Sequence, residues 1–168
     1  MKYLIKNNLY IFLATLICFI LQVIVAPIIS IYNITPDFLL ILVIIYSTLN
    51  NQTTSFLFAF FVGLLIDLYL SSNIGIQTLS YLIASFVASY FNFNSLYYIK
   101  QFIYKFLFSL FISGICASLS ILLLTKTIYS VYFFSNFMNF VVYSNIYNVI
   151  IAYIIITLIP GKRLYESI

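Results

Sequence analysis

Two carboxylates, Asp37 and Asp67, fall within or at the ends of long apolar runs. A pair of acids can divide general-base and general-acid work, hold a cation, or cap helices. The sequence has no histidine, which removes Ser–His triads and His-ligated metals. Cys18 and Cys116 each sit in the middle of an apolar run and read as packed side chains, not a disulfide or redox pair. No residue set calls for a metal or an organic cofactor.

The two acids stand in opposite electrostatic settings. Thr35, Pro36 and Asp37 open an apolar run. Thr35 is the expected N-cap, Pro36 fits the first turn, and Asp37 faces the positive end of the helix dipole. Asp67 lies within about a turn of the end of its helix, where the dipole disfavours a carboxylate. An acid at the bilayer centre costs about 2.5–3.5 kcal/mol on insertion scales, and less near the interface. A cation, backbone N–H groups or protonation must offset that cost. Ala59, Gly63 and Asp67 share one face at a spacing of four, and the small pair lets another helix approach. Asp67 therefore points into a helix contact. Gly75 stands eight residues on. Asn148 reads as interhelical glue, because a buried amide must find partners. Small-residue stripes accompany it: Ser80, Ala84 and Ala88; Ser109, Ser113 and Ala117, with Gly114 and Ser118 beside them; Ser144 and Ala152.

The elements that must position these groups are membrane helices. The chain is 65% hydrophobic and 6% charged, with a mean hydropathy of +1.18. That charge cannot cover a soluble surface. Six apolar runs, near 9–29, 35–50, 55–70, 74–91, 99–124 and 136–159, predict an all-α polytopic bundle forming a single domain over residues 1–168. Runs two and three are near 16 residues each, about 24 Å of helix, short enough for a bundle interior or a re-entrant hairpin. The run after Lys2 and Lys6 is too long for a signal peptide, and Ile24 and Pro27 spoil a cleavage site after Ala26. It is expected to remain as the first helix. Asn50 to Thr54 and Asn92 to Ser95 read as inner loops, and Ser71-Ser72-Asn73 as an outer turn. Thr125 to Ser135 carries Tyr129, Tyr132, Phe133 and Phe134 and belongs in the outer interface. The seven basic residues are scattered at run ends, so the net charge of +4 marks orientation, not nucleic-acid binding. With six spans and the N-terminus inside, Lys2, Lys6, Lys100, Lys105, Lys162 and Arg163 are cytoplasmic and Lys126 is outside. Both termini are expected in the cytoplasm.

Pro36-Asp37-Phe38-Leu39-Leu40, then Gly63-Leu64-Leu65-Ile66-Asp67, then Ile74-Gly75, in that order and spacing, resemble the MreD family of rod-shape-determining membrane proteins. Tyr147-Asn148, followed by apolar residues and the basic Lys162 and Arg163, resembles that family's last helix. The departures are Ile74 in place of leucine and no glycine within Asn50 to Thr54. The resemblance implies a non-enzymatic part of the bacterial cell-elongation machinery in the cytoplasmic membrane. Its partner would be MreC, alongside MreB, RodA and a penicillin-binding transpeptidase. It also implies a bundle similar to the substrate-binding components of energy-coupling-factor vitamin transporters. Pro36, Asp37, Ala59, Gly63, Asp67, Gly75 and Asn148 are then the expected partner-binding or helix-packing positions. Two other readings compete. A vitamin-type transporter component needs a polar pocket near Asp37 and Asp67. An intramembrane aspartyl peptidase needs both acids at one level, but the Asn- and Arg-containing motifs of lipoprotein signal peptidases are missing. Gly63-x-x-x-Asp67 is also not the Gly-x-Gly-Asp pattern of presenilin-like proteases.

Overall fold

The computed structural model describes residues 2–31, 34–70, 75–91, 99–124 and 138–158, with side chains for 9–31, 34–69, 75–91, 106–121, 138 and 141–155. The expected outer turn at 71–73, the second inner loop, the aromatic loop with Lys126, the tail with Lys162 and Arg163, and the side chains of Lys2, Lys6, Lys100 and Lys105 lie outside these.

Among the described residues the protein has six helices and no strand. Helix α1 runs Lys2–Ile20 and continues through a π-helical turn, Leu21–Val25, and a last turn, Ala26–Ile28. The remaining helices are α2 (Phe38–Leu49), α3 (Gln52–Leu70), α4 (Ile76–Ser89), α5 (Ile99–Leu124) and α6, a π-helical turn Met138–Tyr143 leading into Ser144–Leu158. Leu9–Ile28 and Gln52–Tyr69 are long and apolar enough to cross a membrane.

Local chemistry sets the ends. The π turn of α1 stands just before Pro27, which has no N–H and whose ring crowds the preceding turn. The Ala26 N–H reaches five residues back to the Leu21 carbonyl. Between α1 and α2, Ile31 and Ile34 exchange backbone hydrogen bonds of 3.1 and 2.9 Å. Helix α2 ends at Asn50, which is extended. Helix α3 starts at Gln52, three residues earlier than expected. The hydroxyls of Thr54 and Ser55 donate to the Asn51 carbonyl at 2.8 and 2.9 Å, so these residues satisfy themselves within the first turn instead of forming a loop. At 19 residues, α3 is about 28 Å long, close to the thickness of a bilayer core.

Helix α2 is the short one and occupies the centre. It touches each of the other five helices. Phe38, Leu39, Leu40, Ile41, Val43, Ile44, Ser47 and Thr48 are all buried, as expected of a helix that is apolar all round. Its 12 residues give about 18 Å. Helix α4 packs most extensively on α3 and α5 and also touches α2. Small residues permit this: Ala59, Ala84, Ala88 and Ala117 are buried at the contacts. Ser47 donates to the Ser85 hydroxyl at 2.9 Å or to the Val43 carbonyl at 2.8 Å, tying α2 to α4. Helix α1 is peripheral: Leu9, Phe12, Leu16, Ile17, Ile20, Ile24 and Ile28 are exposed. Cys18 and Phe19 pack against the core, and Phe19 meets Tyr69 edge-to-face at 5.8 Å.

Candidate functional site

The polar groups gather at the end of the bundle where α2 and α4 begin. Pro36 holds the chain extended before α2, and Asp37, not Thr35, is the N-cap. Its Oδ1 accepts from the Leu40 N–H at 2.9 Å. The shift follows from the Asp37 side chain, which accepts from the Leu40 N–H and so supplies the cap one residue after Pro36.

Three helices complete this cap. The Tyr81 hydroxyl of α4 donates to the Asp37 carboxylate at 2.8 Å to Oδ1 and 2.9 Å to Oδ2. The Asp37 N–H donates to Asn148 Oδ1 of α6 at 2.8 Å. The Phe38 N–H donates to Gln22 Oε1 of α1 at 2.8 Å, and Gln22 Nε2 donates to the Pro36 carbonyl at 3.2 Å. Tyr147 adds a further tie, donating to the Ile29 carbonyl at 2.6 Å. Gln22 sits within the π turn, a distortion that often re-aims a side chain at a functional position.

Asp67 is held differently. It is 3% exposed and caps the next helix, not its own. Its Oδ2 accepts from the Gly75 N–H at 2.9 Å, the Thr78 N–H at 3.0 Å and the Thr78 hydroxyl at 2.5 Å. Oδ1 accepts from the Gln77 N–H at 3.0 Å. The positive end of α4 thus offsets the unfavourable position of Asp67 on α3. Gly75 has φ +102°, which suits glycine alone among ordinary residues, and its N–H turns toward Asp67. The close approach of α3 and α4 requires Gly63: a Cβ there would stand 2.5 Å from Thr78 Cα. Ala59, fully buried, lies one turn earlier on the same face.

A second polar contact joins α5 and α6. Asn145 Nδ2 donates to the Ser118 hydroxyl at 2.9 Å or to the Val141 carbonyl at 2.6 Å. Its Oδ1 presses on Gly114, where a Cβ would clash with it. Beside Asp37 and Asn148 is a small cavity of about 60 Å³, lined also by Leu40, Ser80, Ala117, Ser118, Ile121 and Ser144.

The sequence-predicted positions therefore fall into two groups. Pro36, Asp37 and Asn148 meet at the α2 cap, and Ala59, Gly63, Asp67 and Gly75 meet at the α3–α4 contact. Sequence reasoning missed Gln22, Thr78, Tyr81 and Asn145. Gln22 left a signal as the only amide in the first apolar run. Asn145 precedes Asn148 by one turn. Tyr81, one of 16 tyrosines, left none. Each carboxylate is engaged by its own set of neutral donors, which suits fixed helix geometry more than proton exchange. Among the described residues, no three His, Cys, Asp or Glu side chains gather as a metal site.

The protein family described as rod shape-determining protein MreD matches residues 4–161. No match is found among curated proteins or among solved structures. The match spans nearly the whole chain, and the chain belongs to the MreD family of bacterial membrane proteins, with a role in determining rod shape.

Proposed function

We propose that the protein is a non-enzymatic, six-span component of the cell-elongation machinery that binds MreC and helps organise peptidoglycan synthesis. The family match over residues 4–161 carries this reading. MreB, RodA and a penicillin-binding transpeptidase are its wider partners. Residues 1–168 form one domain in the cytoplasmic membrane, with both termini in the cytoplasm and a bundle similar to vitamin-binding transporter components. In this reading, the end where α2 and α4 begin faces outward, and Asp67 organises it for MreC. Its four hydrogen bonds support such a role, because they hold α3 and α4 in one arrangement. Pro36, Asp37, Ala59, Gly63, Gly75 and Asn148 contribute by fixing the helices whose outer ends the partner meets. The cavity of about 60 Å³ is far below the ~300–1,000 Å³ of typical ligand pockets, which weighs against vitamin capture there.

The test is co-purification of MreC from a rod-shaped host whose own MreD is replaced by this protein. Rod shape and MreC recovery with the intact protein are expected. Both should fall for variants at Gly63 and Asp67. Rod shape without any MreC recovery would overturn the partner assignment.

A further inference from the structure

The cavity between α2, α4, α5 and α6 holds a hydroxyl that nothing among the described residues satisfies. Ser80 is 1% exposed and lines the cavity, yet its hydroxyl has no hydrogen-bond partner among the described residues. Buried polar atoms in folded proteins are almost always paired, so an orphaned hydroxyl on a cavity wall is a group able to take a ligand. Asp37, also on the lining, is less well supplied than Asp67. It meets the Leu40 and Leu39 N–H groups and the shared Tyr81 hydroxyl, where Asp67 accepts four donors. Among the described residues no salt bridge reaches Asp37. Ser118 and Ser144 border the same space, as does Asn148, whose Oδ1 accepts from the Asp37 N–H.

From these groups we propose that the cavity binds a monovalent inorganic cation of sodium size. The acceptor side chains on the wall are the Asp37 carboxylate and the hydroxyls of Ser80, Ser118 and Ser144, set among apolar Leu40, Ala117 and Ile121, and such hard oxygen ligands suit a hard cation. A single carboxylate matches one positive charge, whereas divalent sites in proteins usually gather several acids. One water needs about 10–15 Å³ of such space, so about 60 Å³ admits an ion with a water or two and excludes larger organic cations. Occupancy would tie the cap of α2 to α4, α5 and α6 and make this end of the bundle ion-dependent. The inference is independent of the proposed partner.

Detergent-purified protein would be melted in increasing NaCl, with choline chloride holding ionic strength constant. A ligand that binds only the folded state raises the melting temperature with concentration. The expected result is a rise of about 2 °C or more that is specific to sodium over choline. It should be absent in Asp37→Asn, and Ser80→Ala should need at least about threefold more sodium for the same rise. Identical melting in the two salts would overturn the proposal and leave the cavity to water. So would an unchanged sodium response in either variant. Ser80→Ala removes only the orphan hydroxyl, so it decides the question if Asp37→Asn fails to fold.

Discussion

Asp67 shows how one side chain can carry the connection between two helices. Its carboxylate accepts from three backbone N–H groups and one hydroxyl at the start of α4. Asparagine would keep the shape but turn an amide donor toward N–H donors. Asp67→Asn should therefore destabilise nearly as much as Asp67→Ala, each by about 2–4 kcal/mol. Thr78→Val, which deletes the hydroxyl alone, should cost about 1 kcal/mol. Thermal unfolding in detergent gives the order; a mild Asp67→Asn beside a severe Asp67→Ala would show that size matters more than acceptance. Gly63 makes the companion case in packing. Its added Cβ would strike the Thr78 backbone, so Gly63→Ala should cost about 1–3 kcal/mol and Gly63→Leu more. Phe58→Leu, which loses a ring contact with Tyr46 at 4.3 Å, should be milder. The yield of folded protein ranks the three variants.

At the level of the element, α2 is held by its surroundings. A helix of 12 residues is marginal alone, but its cap is completed from α1, α4 and α6 and its apolar surface is enclosed. Of these partners, α1 is mostly exposed and meets the cap through Gln22. Gln22→Leu would leave the Phe38 N–H and the Pro36 carbonyl without their partner, at about 1–3 kcal/mol. Helix α1 should then loosen before the rest unfolds. Cys18 is half-buried on the packed side of α1, so in a background lacking Cys116 it should react faster with a membrane-permeant maleimide. An unchanged rate would place the hold on α1 in its apolar contacts with the core.

Along the helices, the described residues present large apolar side chains outward and bury many hydroxyls and amides between helices, the reverse of a water-soluble domain. Leu57, Phe61, Leu65, Leu68, Phe108, Ile150 and Tyr153 are exposed, while Ser47, Ser55, Ser109, Ser113, Asn145 and Asn148 are buried. Exposed Leu and Phe cost little against lipid tails, and buried hydroxyls and amides bind helices where the hydrophobic effect cannot. The proposed topology is testable at this scale. In a background lacking Cys18 and Cys116, cysteines at Ser72 and Ser130 should react with an impermeant thiol reagent from outside. Cysteines at Asn51 and Ser167 should not. Labelling of the Ser167 position from outside would exclude a cytoplasmic C-terminus.

Run length and composition were enough to place six helices near their observed positions, because a long apolar segment can satisfy its backbone only as a helix in lipid. The order of Pro36-Asp37, Gly63, Asp67 and Gly75 was enough for the family. The spacing of Ala59, Gly63 and Asp67 also placed them on one face, since helical periodicity is a local property. The partners of the polar groups depended on packing. That Asp67 caps α4 follows from a turn that brings Gly75 and Thr78 back to it. That Tyr81 meets Asp37 and Gln22 meets the Phe38 N–H follows from contacts 44 and 16 residues apart in the chain. A tyrosine or glutamine in an apolar run has the same local pattern whether it faces lipid or the cap of another helix. Only the crossing of helices distant in sequence brings donor and acceptor within 3 Å, and local periodicity carries no record of that crossing.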